Sequence, residues 1–333
     1  MPARSFPPIP APLAAGRKNF SLLTPVSCNR VLAEKDGPFF LPIALRGPRR
    51  QGAFMPRVFF IGDIVGRPGR SVVRSVLPAF REREHIDIVV ANAENAAGGS
   101  GLTGRLAREL RDCGVDAITL GDHVWDQKSF AAEIPSLEWV CRPANLYPEN
   151  PGRSHLVVEK EGFRLGVFTV LGRNFLPPKD CPFQVAGKKL ESLAEECDAI
   201  LMEVHAEATS EKVALGWFAD GRAALVVGTH THIPTADSGL LEKGTAYCTD
   251  AGMTGPYRSV IGREAEPIIE RFIDGMPRRF EVAQKDIRLS GVIVEIDKNS
   301  GQATGVSLVH LREHEWEKYC PDGESEKQAE SGA

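Results

Sequence analysis

The sequence predicts an α/β fold, because strand-like and helix-like segments alternate along most of the chain. Short apolar runs predict strands at 57–62, 87–92, 116–120, 163–170, 198–204 and 223–229. The segments between them predict helices at 68–84, 103–113, 126–134, 187–197 and 209–219. Strands and helices that alternate on this scale typically form a sheet that is covered by helices.

The last part of the predicted domain adds antiparallel strands. Thr245–Thr249 predicts one further strand, and Gly291–Asp297 and Ala303–Leu311 predict a hairpin closed by the polar turn Lys298–Gly301. Hairpin strands pair antiparallel, whereas strands joined through helices tend to pair in parallel. We therefore expect mixed sheets.

Composition and charge narrow the class of protein. The chain has 333 residues, of which 42% are hydrophobic and 25% charged, as in soluble globular proteins. The net charge of -4 argues against an extended nucleic-acid-binding surface, although a small phosphate ester bound through metal ions needs no basic excess. No apolar stretch approaches the roughly 18 residues of a membrane span. The 7 cysteines form no C-x-x-C pair, which predicts reduced thiols and a cytoplasmic protein.

The first 54 residues differ from the rest of the chain. They are rich in proline, lack a periodic apolar pattern, and contain eight Lys or Arg against two acids. We expect 1–54 to be an extension upstream of a physiological start at Met55; a basic disordered arm is the alternative. Residues 55–316 are predicted to form the folded domain, and the polar segment 317–333 a flexible tail.

Residues suited to metal binding follow five of the predicted strands. In chain order they are Asp63, Glu94, Asn95, Asp122, His123, His205, His230 and His232. Open α/β sheets place their sites at the carboxyl ends of strands, so these side chains are expected to converge. Imidazoles and carboxylates that converge typically hold a transition metal. The order of these residues therefore predicts a metalloenzyme.

Each of these residues, taken alone, also has a structural interpretation. Asp63 or Asp122 could cap a helix, Glu94 could belong to an ordinary turn, and His123 could be a buried neutral histidine. His230 and His232 have alternate-residue spacing, which in an extended segment directs both side chains to one side. The nearby Asp237 is interpreted as a solvated turn residue. The remaining histidines do not follow a strand and are interpreted as surface or structural residues: His85, His155, His310 and His314.

Taken together, these residues resemble the calcineurin-like metallophosphoesterase superfamily, and more closely its YmdB-like branch of 2′,3′-cyclic-nucleotide 2′-phosphodiesterases. The resemblance covers roughly Met55 to Leu311. Its most specific stretches are Gly62–Gly66, Asn92–Gly99, Gly121–Asp126, His205–Lys212, Gly228–His232 and Gly252–Gly255. It implies a four-layer α/β/β/α metallophosphoesterase sandwich, with two metal ions at the carboxyl edge of the strands.

The resemblance also implies a role for each residue. One ion would be held by Asp63, Asn95 and His232, the other by Asp122, His205 and His230, with Glu94 bridging them and His123 as the proton donor. The branch usually has asparagine where this chain has Asp122. An aspartate still ligates, but its charge is expected to tighten binding of the second ion and to lower the Lewis acidity of the pair.

The implied reaction is hydrolysis of a 2′,3′-cyclic nucleotide or a related small phosphodiester by a hydroxide that bridges the two ions. A mixed nitrogen and oxygen ligand set suits Fe or Mn, with Zn possible. Three alternatives stay open: another metallophosphoesterase, such as a phosphomonoesterase or nuclease; a nucleotide- or RNA-binding regulator with little turnover; and a capsule-polymer synthesis protein, which usually carries a membrane segment or export signal. The pattern predicts neither a membrane partner nor an oligomeric state.

Overall fold

The computed structural model describes residues 55–177, 179–316 and 319–320. Its strands are β1 Arg57–Ile61, β2 Asp63–Ile64, β3 Ile88–Asn92, β4 Ala117–Thr119, β5 Leu156–Lys160, β6 Phe163–Leu171, β7 Ala199–His205, β8 Leu225–Thr229, β9 Gly239–Leu240, β10 Ala246–Cys248, β11 Met253–Pro256, β12 Ile287–Ile296 and β13 Ala303–Leu311. Its helices are α1 Gly66–Arg83, α2 Gly104–Asp112, α3 Phe130–Glu133, α4 Pro182–Ala194, α5 Thr209–Ala219, α6 Ala265–Asp274 and α7 Glu313–Trp316. The predicted extension 1–54 lies outside the described residues.

The strands form two mixed sheets, as the sequence predicts. The 7-stranded sheet has the order β2-β11-β12-β1-β3-β4, with β13 paired to β12. In it β1, β3 and β4 are parallel, and β12 is antiparallel to β1. The 6-stranded sheet has the order β5-β6-β7-β8-β10-β9. Its central strands β6, β7, β8 and β10 are parallel, and its edge strands β5 and β9 are antiparallel.

Both faces of the central strands carry buried apolar side chains. Because successive residues of a strand point to opposite faces, Phe59 of β1 packs in a cluster with residues of α1 and α2, while its neighbour Phe60 packs in another. That second cluster also contains Val167 of β6 and Leu201 of β7, so it joins the two sheets. A third cluster contains Met202 of β7 together with residues of α4 and α5.

The helices bury one side and expose the other. The longest helix in the described part, α1, has 18 residues and buries Val73, Leu77 and Phe80, whereas Arg74 and Ser75 on the opposite side are exposed. This pattern is typical of a helix that lies on a sheet. Within the described residues, no helix combines the length and apolar character that crossing a membrane requires.

Most of the predicted elements are present, and the exceptions have physical reasons. The helix predicted over 126–134 is only partly present: the short α3 lies within that range, between a 3-10 turn at Asp122–Trp125 and a second 3-10 turn at Ile134–Ser136. The helix α4 begins at Pro182, before the predicted residue 187, because proline is favoured in the first turn of a helix. The sequence analysis missed β5, which is an edge strand with mostly exposed or half-buried side chains, and α6, of which only Ile268 is buried.

The packing of the domain extends beyond the predicted boundary at residue 316. Tyr319 is 3% exposed, and its ring centroid lies 5.2 Å from that of Phe80 in α1. The Tyr319 hydroxyl donates a hydrogen bond of 3.0 Å to Glu84 Oε1. The start of the segment predicted as a flexible tail therefore contributes to the core.

A half-buried histidine in the terminal hairpin carries a pH-dependent part of the stability. His310 Nε2 accepts a hydrogen bond of 2.9 Å from Arg288 Nη1, and His310 Nδ1 lies 3.2 Å from Ser290 Oγ. Burial first, and the positive charge of Arg288 second, lower the pKa of His310 from 6.5 to about 4. The folded state therefore favours the neutral imidazole.

We expect His310→Gln to flatten the dependence of stability on pH between 6.5 and 4. In the wild-type chain the unfolded state binds the proton more readily, so this contribution is complete above pH 6.5 and is lost as the pH falls. Urea unfolding midpoints at several pH values would measure the difference, with His314→Gln at an exposed position as control. An unchanged slope in His310→Gln would contradict the assignment.

Candidate metal centre

The structure brings the predicted ligands together from both sheets. The 7-stranded sheet contributes residues that follow or lie next to β1, β3 and β4: Asp63, Glu94, Asn95 and Asp122. The 6-stranded sheet contributes residues at the ends of β7 and β8: His205, His230 and His232. Because β1, β3 and β4 are parallel, and so are β7 and β8, the carboxyl ends share an edge within each sheet. The two edges meet at the site, where His205 Nε2 lies 3.1 Å from Glu94 Oε1.

One group of donors consists of Glu94, Asp122, His205 and His230, with one donor atom from each lying within 4.8 Å of the others. His205 Nε2 lies 2.9 Å from Asp122 Oδ1 and 3.1 Å from Glu94 Oε1. His230 Nδ1 lies 3.1 Å from His205 Nε2 and 3.2 Å from Asp122 Oδ1. Two imidazole nitrogens and two carboxylate oxygens thus face one small volume, as the ligands of a cation do.

A second group adjoins the first through Glu94. Asn95 Nδ2 lies 3.2 Å from both Glu94 Oε1 and His232 Nε2, and His232 Nε2 lies 3.9 Å from Asp63 Oδ1. The two ends of an asparagine amide are interchangeable in shape, so a half-turn of the side chain presents its oxygen instead. Asp63 Oδ1 is buried and has no hydrogen-bond partner among the described residues. A buried carboxylate oxygen without a partner is costly unless a cation binds it.

The charges of the site favour a cation as well. Burial raises the pKa of Asp63 to about 7, with Glu94 adding to the rise and His205 opposing it. Burial opposes ionisation of Asp122 too, but hydrogen bonds from His205 and His230 hold its pKa well below the usual range. For His205, burial lowers the pKa, yet Glu94 and Asp122 outweigh burial and raise it well above 6.5. The unpartnered oxygen and the mixed nitrogen and oxygen donors together fit transition-metal ions.

The two histidines after β8 do not lie in an extended segment, which corrects the expectation from their spacing. The strand ends at Thr229, and His230 and His232 have left-handed φ angles of 91° and 66°. Such angles cost about 1–3 kcal/mol for residues other than glycine, so the surrounding structure has to hold them in place. His230 consequently joins the first group of donors and His232 the second, where His232 Nδ1 lies 3.0 Å from the carbonyl oxygen of Ile261.

A buried ion pair holds this turn. The backbone N–H and the hydroxyl of Thr231 donate to Asp250 Oδ2, at 3.3 and 2.6 Å. Lys212 Nζ, on α5, donates to the same oxygen at 2.7 Å. Both charged residues are at most 1% exposed in their side chains. The sequence analysis missed this pair, because the partners are 38 residues apart and no local pattern links them.

The side chain of His123 is held beside the donors by a second carboxylate. His123 Nδ1 lies 2.8 Å from Asp126 Oδ2, which also accepts a hydrogen bond from Ser100 Oγ. The backbone N–H of His123 donates to Glu94 Oε2 at 3.1 Å. Burial lowers the pKa of His123, but Glu94, Asp122 and Asp126 outweigh burial and raise it above 6.5. A protonated imidazole that is 40% exposed can give a proton to a substrate.

The other polar candidates lie away from the donors or serve the fold. Asp237 is not merely a solvated turn residue, because its carboxylate accepts hydrogen bonds from Thr235 Oγ1 at 2.6 Å and Thr249 Oγ1 at 2.5 Å. His310 belongs to the hairpin, and His155 Nδ1 lies 2.9 Å from Lys189 Nζ. These contacts agree with their interpretation as structural residues. Glu207 is a residue that the sequence analysis missed: its Oε2 lies 3.3 Å from His230 Nε2.

We expect Gly121→Ala to weaken metal binding by roughly 10–100-fold, a range typical when the support of metal ligands is lost. A Cβ atom at Gly121 would overlap both the Glu94 carboxylate and the His205 ring. Calorimetric titration with Mn²⁺ measures the change. Gly187→Ala in α4 is the matched control, since its new Cβ would meet only Phe218, at an ordinary 3.5 Å. Equal affinities in the two variants would contradict the assignment of this volume to a metal.

Comparison with known proteins identifies the family. A family model described as "YmdB-like protein" matches residues 59–309. The chain is 44% identical over 257 residues to the 2′,3′-cyclic-nucleotide 2′-phosphodiesterase of Bacillus subtilis (strain 168), an alignment that covers 77% of this chain and 97% of the relative. A crystal structure of a hypothetical protein from Thermus thermophilus is similar with a TM-score of 0.72 and 44% identity, over 77% of this chain and 99% of that one. The structure of a novel phosphatase from Mycoplasma pneumoniae is similar with a TM-score of 0.74 and 34% identity, over 78% and 94%. On these grounds the chain belongs to the YmdB-like family, as the order of its candidate metal ligands predicts.

Proposed function

We propose that the protein is a metal-dependent phosphodiesterase that hydrolyses 2′,3′-cyclic nucleotides or related small phosphodiesters. The observation that carries the proposal is the pair of adjoining donor groups that share Glu94, with His123 beside them. The description of the Bacillus subtilis relative as a cyclic-nucleotide phosphodiesterase supports the substrate class. The net charge of -4 is compatible with a small substrate.

In this proposal two metal ions bind at the carboxyl edge of the sheets. Asp63, Asn95 and His232 would hold one ion and Asp122, His205 and His230 the other, and Glu94 would contribute to both. The mixed donor set suits Fe or Mn, and Zn to a lesser degree. When bound, two such ions activate a water molecule as nucleophile and neutralise charge on the phosphoryl oxygens.

The chain itself supplies the proton for the leaving group. The Asp126 carboxylate accepts a hydrogen bond from His123 Nδ1–H. The second proton of the imidazolium is then on Nε2. As water adds to phosphorus and the bond to the ribose O2′ breaks, that proton passes to the departing oxygen. The product is a 3′-monophosphate with a free 2′-hydroxyl. General acids of this kind contribute about 10²–10⁴-fold to turnover.

We also propose that the domain has four layers in the order α/β/β/α. Three apolar clusters support this arrangement: one between α1, α2 and the 7-stranded sheet, one between the two sheets, and one between the 6-stranded sheet and α4 and α5. Free thiols at Cys113, Cys141, Cys181, Cys197 and Cys248 support a reducing, cytoplasmic setting. The extension 1–54 upstream of Met55 remains a proposal from composition alone.

The central test is turnover of 2′,3′-cyclic AMP by the purified chain with added Mn²⁺ or Fe²⁺. We expect hydrolysis to the 3′-monophosphate that stops when a chelator removes the metal. In His123→Ala turnover should fall about 10²–10⁴-fold while bound metal is retained. The exposed His314→Ala is the control and should match the wild-type chain.

Two outcomes would revise this function. If His123→Ala loses metal but keeps turnover per bound metal, His123 is not the proton donor. If the wild-type chain binds two metals without cleaving cyclic nucleotides, the substrate is another phosphoester, or the protein is a nucleotide-binding regulator.

The aspartate at position 122 is expected to tune the centre. Asp122 Oδ1 lies 2.9 Å from His205 Nε2 and 3.2 Å from His230 Nδ1, so its charge acts directly on the first donor group. We expect Asp122→Asn to raise the Mn²⁺ concentration needed for half-maximal activity, while turnover at saturating Mn²⁺ is kept or increased. Metal titrations of steady-state activity measure both quantities. Tighter metal binding by the variant would show that this charge does not stabilise the second ion.

A further inference from the structure

Beneath the candidate metal centre, one buried carboxylate connects the two sheets. Glu203 of β7 is 0% exposed and accepts three side-chain hydrogen bonds. Its Oε1 accepts from Asn92 Nδ2 and from Thr229 Oγ1, each at 2.6 Å, and its Oε2 accepts from Thr169 Oγ1 at 2.8 Å. Asn92 is on β3 of one sheet, whereas the other three residues are on strands of the second sheet.

The contact between Glu203 and Thr229 determines the direction of the next hydrogen bond. A threonine hydroxyl can donate one hydrogen bond, and Thr229 donates it to the carboxylate of Glu203. Thr229 Oγ1 can then only accept from His205 Nδ1, which lies 2.8 Å away. His205 Nδ1 therefore keeps its proton, and Nε2, which faces Glu94 and Asp122, supplies a lone pair once a metal ion displaces the proton that Nε2 donates to them. A metal ligand needs this lone pair.

The same carboxylate also orients the shared ligand of the centre. Asn92 Nδ2 donates a hydrogen bond to Glu203, which orients the amide group. Asn92 Oδ1 then faces the backbone N–H of Glu94 and accepts a hydrogen bond of 3.0 Å from it. Glu203 thus acts on His205 through Thr229 and on Glu94 through Asn92. A negative charge buried between apolar sheets is weak evidence for stability. A function for it is the better explanation, since its contacts lead to two donors of the centre.

We propose that Glu203 and Thr229 are positioning residues that fix the ring orientation and the Nδ1 proton of His205 for metal binding. This inference rests on the proposed function only in taking His205 as a ligand. Outer groups that bond to metal-ligating histidines typically change metal affinity by about 10–100-fold when they are removed.

The chain offers a closely matched pair of variants. Thr229→Val and Thr169→Val each replace a fully buried threonine by an isosteric residue, and each removes one donor to Glu203. Only Thr229 also contacts His205. We expect Thr229→Val to raise the Kd for Zn²⁺ about 10–100-fold in calorimetric titrations of the full chain. Thr169→Val should keep the wild-type Kd, and Thr229→Ser, which retains the hydroxyl, should restore it.

A spectroscopic readout separates positioning from a general loss of packing. In the Zn²⁺-loaded wild-type protein we expect a downfield, slowly exchanging Nδ1 proton of His205, visible by ¹H–¹⁵N NMR. That signal should move upfield or exchange away in Thr229→Val and persist in Thr169→Val. An unchanged signal and Kd in Thr229→Val, or equal losses in both valine variants, would overturn the inference while leaving the phosphodiesterase proposal intact. A wild-type chain that binds no Zn²⁺, Mn²⁺ or Fe²⁺ would overturn both.

Discussion

The structure depends on the parallel pairing that brings the carboxyl ends of strands from two sheets to one edge. Parallel strands end at the same edge of their sheet, so the side chains that follow β1, β3 and β4 become neighbours. The same holds for β7 and β8 in the second sheet. The apolar cluster between the sheets keeps both edges at a fixed separation. Donors far apart in the chain therefore meet within a few ångströms.

Charge buried at this edge has to be compensated, and the compensation shapes the rest of the site. In the described part of the chain Asp63 retains an oxygen without a hydrogen-bond partner. The charge of Asp250 is neutralised by Lys212, whereas Glu203 is stabilised by hydrogen bonds from hydroxyl and amide donors. These carboxylates differ in what they can do. The paired ones hold backbone turns and imidazole rings in place, and the unpartnered one remains available to a cation.

Much of the fold follows from local pattern alone. The six strands predicted in the core are present, with ends that differ from the prediction by two residues or fewer, because apolar runs of that length are buried on both faces. The errors fall where burial is one-sided or absent. Only Ile268 of α6 is buried, while Phe272 and Ile273 are exposed, so no clear apolar face marked this helix. Around Asp126 the chain makes short 3-10 and α turns in place of a continuous helix.

The sequence by itself determined the fold class and the order of the strands in the chain, and it predicted seven candidate donor residues, because both polar residues at strand ends and apolar runs are local features. Only the tertiary structure decided which donors stand next to each other and how each is held. The left-handed backbone of His230 and His232 and the contacts of Glu203 with Asn92, 111 residues away, depend on packing between sheets. No short-range pattern encodes such a contact, since its energy arises only when both strands are in place.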